Sequence, residues 1–186
     1  MAEEPRAWFN GRTGPCQGSD EGSIPFARSN FLSSRIHVNV NRRILISAPY
    51  ESVRTYLRDL GEIAHYEPKV DAISISPAGE SAEASGRFFG MPWRGTFSFE
   101  FAPDGGYHGV MLTGPLKRME CRMMIRPVNG GTMLEHDEEY DLPLFLRPLR
   151  PLVRRWLDHT LETELDVIKE RAEALNRRIQ LEVLDA

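Results

Sequence analysis

The residues best suited to chemistry lie in one segment, residues 132–142. His136 and Glu138 are two positions apart, so an extended strand presents both on the same face. That face also carries apolar and aromatic side chains, namely Leu134, Tyr140 and Leu142. The opposite face is acidic, with Glu135, Asp137, Glu139 and Asp141. An imidazole and a carboxyl on an otherwise apolar face predict a general acid/base pair, or a polar anchor that orients a bound molecule.

Two structural interpretations of the same residues stay open. His136 can be an inward-facing histidine that is hydrogen-bonded and takes no part in chemistry. Glu138 can form an ion pair with an arginine, such as Arg118 or Arg122. Two ionisable groups on an apolar face are costly unless they are hydrogen-bonded, so partners, water or a ligand must satisfy them.

The sequence lacks the motifs of several other chemistries. It contains no His-Glu-x-x-His or Cys-x-x-Cys pattern and no cluster with metal-ligand spacing. His136 and Glu138 alone provide two ligands and no third, so no metal is predicted. A glycine-rich phosphate loop and a Gly-x-Ser-x-Gly hydrolase motif are also missing, so we expect no nucleotide or other cofactor.

The composition is typical of a single globular domain. With 186 residues and 41% hydrophobic content, the chain can bury one core. The formal net charge of −4 gives no electrostatic reason to expect a nucleic-acid partner. Cys16 and Cys121 are the only cysteines, and the sequence has no stretch of about 18 apolar residues and no signal-peptide pattern. We therefore expect a cytoplasmic protein without disulfides.

The first 34 residues differ from the rest of the chain. Gly, Ser, Pro, Asn and charged residues dominate, and no strand or helix period persists. We predict a flexible N-terminal extension over residues 1–34 and one domain over residues 35–186. The extension either docks loosely or covers a pocket or binds a partner, and its large apolar side chains are Trp8, Phe9, Phe26 and Phe31.

From residue 35 onward the apolar spacing defines elements. Alternation between residues 36 and 46 predicts a strand, which Ala48 and Pro49 end. Helical spacing then follows, and because Pro suits the first turn of a helix, we predict a short helix that stops near Gly61. A further helical turn is predicted over residues 62–66, before Pro68.

About six strands and one long helix are predicted after the short helices. Alternating segments separated by Pro, Gly and Asn turns run from residue 70 to residue 142. The helix is predicted from an apolar stripe more than six turns long: Leu152, Val153, Trp156, Leu157, Leu161, Leu165, Ile168, Ala172 and Leu175. Such a stripe needs a long apolar partner, and an antiparallel sheet is the candidate.

The order of these elements resembles the helix-grip fold of the SRPBCC superfamily, also called the START or birch-pollen-allergen-like superfamily. "ISAPYESVRTYLRDL" resembles its first strand-to-helix junction, "GTMLEHDEEYDLP" its last strand, and "RRWLDHTLETELDVIKERAEAL" its closing helix. The pattern is most similar to the polyketide cyclase/dehydrase-like and coenzyme Q-binding branches. The resemblance implies an α+β fold in which a curved antiparallel sheet of about seven strands wraps around a long C-terminal helix, with two short helices after the first strand.

That fold implies an apolar cavity between the sheet and the helix. Six of the seven methionines lie between residues 91 and 133, and flexible methionines suit a pocket for variable apolar shapes, although they also fill irregular cores. Arg87, His65 and Tyr66 would lie near the cavity mouth as weaker candidates for catalysis. The residues expected to contact a ligand are Tyr66, Arg87, Phe88, Phe97, Phe99, Met111, Met119, Met123, Leu134, His136, Glu138, Tyr140 and Trp156.

The function implied by the resemblance is binding or transport of a hydrophobic small molecule, such as a lipid, a quinone or a polyketide-like compound. An alternative is an aromatase/cyclase-type enzyme in which His136 and Glu138 act as general acid and base on a carbonyl compound. A module that binds another protein is a third interpretation, because one fold hosts many functions. A carrier without catalysis is favoured over an enzyme.

The link before the last helix, residues 142–156, mixes basic and apolar residues. Three prolines interrupt it, Pro143, Pro148 and Pro151. Its arginines are either solvated parts of a packed connection, or they help the link touch a membrane surface during ligand exchange.

Overall fold

The computed structural model describes residues 35–184, so the predicted N-terminal extension lies outside the described residues. Strand β1 (Arg35–Ile46) leads into helix α1 (Tyr50–Arg58), a 3-10 turn (Leu60–Glu62) and helix α2 (Ile63–Tyr66). The other strands are β2 (Val70–Ile75), β3 (Ser81–Phe88), β4 (Met91–Phe101), β5 (Tyr107–Thr113), β6 (Met119–Val128) and β7 (Gly131–Pro143). A second 3-10 segment (Leu144–Leu149) precedes helix α3 (Arg150–Leu184).

The seven strands form one antiparallel sheet in the order β1-β7-β6-β5-β4-β3-β2. Consecutive strands from β2 to β7 are neighbours, whereas β1 pairs with β7 along its whole length, from Arg35 opposite Pro143 to Ile46 opposite Thr132. The first strand therefore lies beside the last one, and α1 and α2 connect one edge of the sheet to the other. The predicted helix-grip architecture is confirmed.

The junction between β1 and α1 forms where the sequence changes its spacing. Pro49 occupies the N-cap position of α1, and Glu51 lies in the first turn, where a negative charge is favoured. Val53, Tyr56 and Leu57 are buried, so α1 turns one face inward. The helix packs against α3 and the sheet at the ends of β6 and β7.

Helix α3 buries one stripe of side chains and packs against β1, α1 and α2. Its fully buried apolar residues are Val153, Leu157, Leu161, Leu165, Ile168 and Ala172. Leu152, which was expected on this stripe, is 54% exposed because it lies about 100° around the helix from Val153. Among the helices of residues 35–184, none combines the length and the apolar character needed to cross a lipid bilayer.

The apolar core consists of two clusters. One gathers α1, α2 and the second half of α3 around Leu134 of β7. The other gathers the start of β1 and the first turns of α3 around Tyr140 and Leu142 of β7. His136 and Glu138 lie on β7 between the two clusters, so the polar pair interrupts an otherwise apolar interior.

Candidate functional site

A cavity lies on the inner face of the sheet. Residues of α2, α3 and every strand except β1 line it. Its walls are mainly apolar and aromatic, including Phe88, Trp93, Phe97 and Phe99. Phe97 stacks on Phe99, with ring centres 6.2 Å apart. Such walls suit a flat or bulky apolar ligand.

Nine of the thirteen residues expected to contact a ligand line this cavity: Tyr66, Phe88, Phe97, Phe99, Met111, Met119, His136, Glu138 and Tyr140. The other four do not line it. Arg87 is exposed because it has the outward parity of β3, and Met123 and Leu134 pack inside the core around α1. Trp156 borders a separate surface groove and contacts Phe88 edge-on, with ring centres 5.1 Å apart. His65 is exposed on α2.

The methionines that cluster between residues 91 and 133 of the sequence lie in different environments in the structure. Met111 and Met119 line the cavity, Met123 packs in the core, and Met91 is 42% exposed. The aromatic rings of β3 and β4, rather than the methionines, dominate the walls.

One end of the cavity is a buried polar layer built around Glu138. The carboxylate oxygens of Glu138 lie 2.9 and 3.1 Å from Lys69 Nζ, and Tyr140 donates its hydroxyl to Oε2 at 2.8 Å. Lys69 Nζ also lies 3.1 Å from Glu67 Oε1. The prediction that Glu138 pairs with Arg118 or Arg122 was wrong, because Lys69 is its partner, and Arg118 pairs with Glu120 and Glu139 instead. Glu138 is fully buried and Lys69 is 4% exposed, so this ion pair is shielded from water.

The backbone between α2 and β2 positions Lys69. Glu67 Oε1 accepts a hydrogen bond from the Lys69 amide at 2.9 Å, and the Lys69 carbonyl accepts from Arg87 N and Trp93 Nε1, both at 3.1 Å. A Cβ atom on Gly86 would lie 2.0 Å from that carbonyl oxygen. The glycine on β3 therefore lets the backbone approach closely enough to hold Lys69 in place.

A second part of the layer pairs β7 with α3. His136 Nδ1 lies 3.3 Å from Glu164 Oε1, but the geometry is not that of a hydrogen bond. His136 Nε2 lies 4.0 Å from Glu138 Oε1. Both ring nitrogens of His136 and Oε2 of Glu164 are buried without a hydrogen-bond partner in the described part of the chain. Both residues are 1% exposed and line the cavity, so these atoms are the unsatisfied polar groups of its polar end.

The charged groups of the layer determine one another's protonation states. Burial raises the pKa of Glu67 to about 8, so its carboxyl carries a proton at neutral pH. Burial opposes the charged form of Lys69, but Glu138 and Glu67 outweigh it and raise the pKa of Lys69 well above its usual value. Burial likewise raises the pKa of Glu138, but Lys69 and His136 outweigh it, so that pKa is lowered. The Lys69–Glu138 pair is therefore ionised.

His136 is held in its charged form. Burial alone lowers the pKa of His136, but Glu164 and the other neighbours outweigh it and raise that pKa well above its usual value. A protonated imidazole has two N–H donors and no acceptor. The His136 side chain therefore has two N–H donors, and Glu164 lies beside it with its Oε1 3.3 Å from Nδ1.

Two tyrosines border the layer on the side of α2. Tyr66 and Tyr107 are joined through their hydroxyl oxygens at 3.1 Å. Burial raises the pKa of both well above the usual value, so both hydroxyls stay protonated.

His136, Glu138 and Glu164 each offer a ligand atom within 4.8 Å of the others, which is a spacing that a divalent cation fits. The third ligand comes from α3, so inspection of β7 alone missed it. The Lys69 ammonium already neutralises Glu138, however, and a cation bound there would have to break that pair.

Sequence reasoning missed Glu67, Lys69 and Glu164. Glu164 had a detectable signal, because it lies seven residues after Leu157 and four before Ile168, on the buried stripe of α3. A charged residue at a core position of a helix indicates a buried partner. Glu67 and Lys69 flank Pro68 in a connection without periodicity, so no pattern pointed to them.

The chain matches the model of the family described as "Polyketide cyclase / dehydrase and lipid transport" over residues 37–173. No match was found among curated proteins. Three of the many solved structures that share its fold are covered almost completely by the match. A START superfamily protein from Mycobacterium smegmatis has a TM-score of 0.61 at 16% identity, covering 74% of this chain and 98% of that chain.

The second, a protein from Thermus thermophilus, has a TM-score of 0.64 at 23% identity, covering 75% of this chain and 98% of that chain. The third, the Zhui aromatase/cyclase from a Streptomyces species, has a TM-score of 0.64 at 15% identity, covering 74% of this chain and 94% of that chain. At these identities the likeness concerns the fold.

Proposed function

Because the chain belongs to the polyketide cyclase/dehydrase and lipid transport family, we propose that it binds a neutral, largely apolar small molecule in the cavity. The ligand's polar group lies against His136 and Glu164, and its apolar body lies among the aromatic side chains of β3 and β4. The observation that carries this proposal is a largely apolar cavity lined by the His136–Glu164 pair, whose ring nitrogens and Oε2 make no hydrogen bond within the described residues. A ligand hydroxyl or enol can satisfy both, since it accepts from His136 and donates to Glu164.

The charges of the layer favour a neutral ligand over a carboxylate. In the layer, Lys69 lies against Glu138 and His136 lies against Glu164, while Glu67 carries a proton at neutral pH. An additional buried anion would face Glu164 at close range, with no further cation among the layer residues that the structure describes to balance it. We therefore expect phenols, enols and ketones to bind better than fatty or aromatic acids of the same size.

Three compounds with one ring system test this selectivity: naphthalene, 2-naphthol and 2-naphthoate. We expect saturable binding of naphthalene by calorimetry or fluorescence, tighter binding of 2-naphthol, and the weakest binding for 2-naphthoate. In His136→Ala and Glu164→Gln, the preference for 2-naphthol over naphthalene should fall by about tenfold, the effect of one lost hydrogen bond to a charged group. His65→Ala is the matched control, because that histidine is exposed.

Native mass spectrometry of the freshly purified protein would show which compound it carries. A folded protein that binds none of the three probes contradicts the proposed function. Equal or tighter binding of 2-naphthoate contradicts only the assignment of a neutral ligand.

A second candidate function, enolisation of a bound carbonyl compound, is favoured by the charged state of His136. An imidazolium beside the cavity can give its proton to the carbonyl oxygen while the Glu164 carboxylate takes the proton from the adjacent carbon. Glu138 suits the role of base less well than expected, because Lys69 and Tyr140 occupy its oxygens.

Proton exchange separates the enzyme from the carrier. Incubation of 2-acetylnaphthalene with the protein in D₂O should give deuterium at its methyl group faster than buffer alone, as read by NMR. We expect His136→Ala to abolish the acceleration. Binding of the ketone without acceleration would exclude the enzymatic candidate and leave the carrier.

A further inference from the structure

We propose that residues 144–155, termed here the basic apolar segment, dock the protein on an anionic lipid membrane surface. The segment comprises the 3-10 segment after β7 and the first turns of α3. It is separate from the residues that line the cavity, and the inference does not depend on the identity of the ligand.

The segment exposes large apolar side chains to an unusual degree. Leu144 is 46% exposed, Phe145 67%, Leu149 42% and Leu152 54%. Leu146 and Val153 of the same segment are buried and hold it against the core. The exposed apolar side chains are thus presented on an anchored backbone, and such a surface indicates a binding function.

The segment's charges match an anionic surface. Arg147, Arg150, Arg154 and Arg155 are all exposed, and residues 144–155 contain no acidic residue. The chain as a whole has a formal net charge of −4, so an anionic bilayer repels the molecule in general and attracts this segment. The charge distribution therefore determines which face of the protein meets the bilayer, and it also contributes to the binding.

The chemistry of the exposed residues favours a lipid surface over a protein partner. The exposed positions between residues 144 and 155 are occupied by Leu, Phe, Pro and Arg alone. Apolar side chains beside basic ones are the composition of interfacial membrane anchors, in which arginine contacts lipid phosphate and Phe or Leu enters the acyl boundary. The segment offers no serine, threonine, asparagine or carboxylate side chain for the polar rim typical of a protein interface.

The segment also lies next to the cavity's apolar wall. Leu146 belongs to the same core cluster as Phe88, Leu116 and Met119, and these three residues line the cavity. A membrane contact here places the cavity wall near the bilayer, which is the source from which an apolar ligand is most available.

Vesicle co-sedimentation of the full chain tests the proposal. We expect binding to phosphatidylcholine vesicles containing about 30% phosphatidylglycerol, little binding to phosphatidylcholine alone, and weaker binding as salt rises. Phe145→Ala/Leu152→Ala and Arg147→Gln/Arg154→Gln should each reduce the partition coefficient about tenfold or more. Leu112→Ala/Arg126→Gln is the matched control, because Leu112 is 60% exposed and Arg126 is exposed on the sheet.

Absence of binding to the anionic vesicles by the folded chain would overturn the proposal. Equal losses in the control variant would also overturn it, since binding would then not belong to this segment. A third contrary result is binding that heparin competes and that Phe145→Ala/Leu152→Ala leaves unchanged, because that behaviour marks a general polyanion site.

Discussion

Glu138 is fully buried, and its two oxygens are held by the Lys69 ammonium and the Tyr140 hydroxyl. Lys69→Met removes the cation and leaves a buried carboxylate without compensation. We expect a loss of about 3–5 kcal/mol in the free energy of unfolding at neutral pH. Urea denaturation measures this loss.

The double variant Lys69→Met/Glu138→Gln should recover much of that stability, because it removes both charges together. As a control, Arg94→Gln breaks an exposed pair with Glu83 of similar length, 2.8 Å against 2.9 Å for Lys69 and Glu138, and should cost less than about 1 kcal/mol. A Lys69→Met loss no greater than that of Arg94→Gln would show that the buried pair does not stabilise the fold.

At the residue scale, alternation along β7 was enough to place His136 and Glu138 on the buried face. The same alternation carried no information on what they contact, because Lys69 arrives from the α2–β2 connection and Glu164 from α3. Lys69 left no periodic trace in the sequence, whereas the place of Glu164 on the buried stripe of α3 indicated its burial but not its partner. Met123, Leu134 and Trp156, which were expected to contact a ligand, do not line the cavity. Parity gives the face of a strand but not the position of Met123 or Leu134 along it, and the apolar stripe of α3 does not show which of its residues reach the cavity.

At the scale of the elements, the predicted order of strand, short helices, six strands and long helix is confirmed. Prolines and glycines mark the ends of the alternating segments, so the order of the secondary-structure elements could be predicted. The structure of the link after β7 could not be predicted in the same way. Its prolines indicate where regular structure breaks, but not that residues 144–149 form a 3-10 segment.

The contact between β3 and the end of the α2–β2 connection depends on Gly86. In Gly86→Ala, the new Cβ would lie 2.0 Å from the Lys69 carbonyl oxygen, so the backbone that positions Lys69 must move. We expect a loss of about 1–3 kcal/mol in stability and weaker binding of 2-naphthol. Ser85→Ala, one residue earlier on the strand, adds no atom and should leave the stability and the binding of 2-naphthol nearly unchanged. If Gly86→Ala were as stable as the natural sequence, the α2–β2 connection would adjust to the new Cβ without cost.

At the scale of the whole molecule, the polar layer lies between the two apolar clusters, so its protonation affects the stability of the entire domain. Glu67 has a raised pKa, about 8 in the folded state against 4.5 for a free side chain, so folding becomes less favourable as pH rises between these values. The raised pKa of His136 acts in the same direction. Its contribution to the stability of the fold is complete below about pH 6.5 and is lost as pH rises through the folded-state pKa. Glu138 acts oppositely, because its lowered pKa gives stability that is lost as pH falls below about 4.5.

These three shifts together predict a stability maximum in mildly acidic solution, near pH 5, and a decline toward pH 8. Urea midpoints measured across that interval would show the decline, and Glu67→Gln should flatten part of it. Because the variant cannot ionise at that position, it should be more stable than the natural sequence at pH 8 and nearly equal to it at pH 5. The full shift of the Glu67 pKa, from 4.5 to about 8, corresponds to at most about 5 kcal/mol. Glu80→Gln, which changes an exposed glutamate, is the matched control and should keep the full slope. A slope that is unchanged in Glu67→Gln would mean that this carboxyl does not take up a proton on folding.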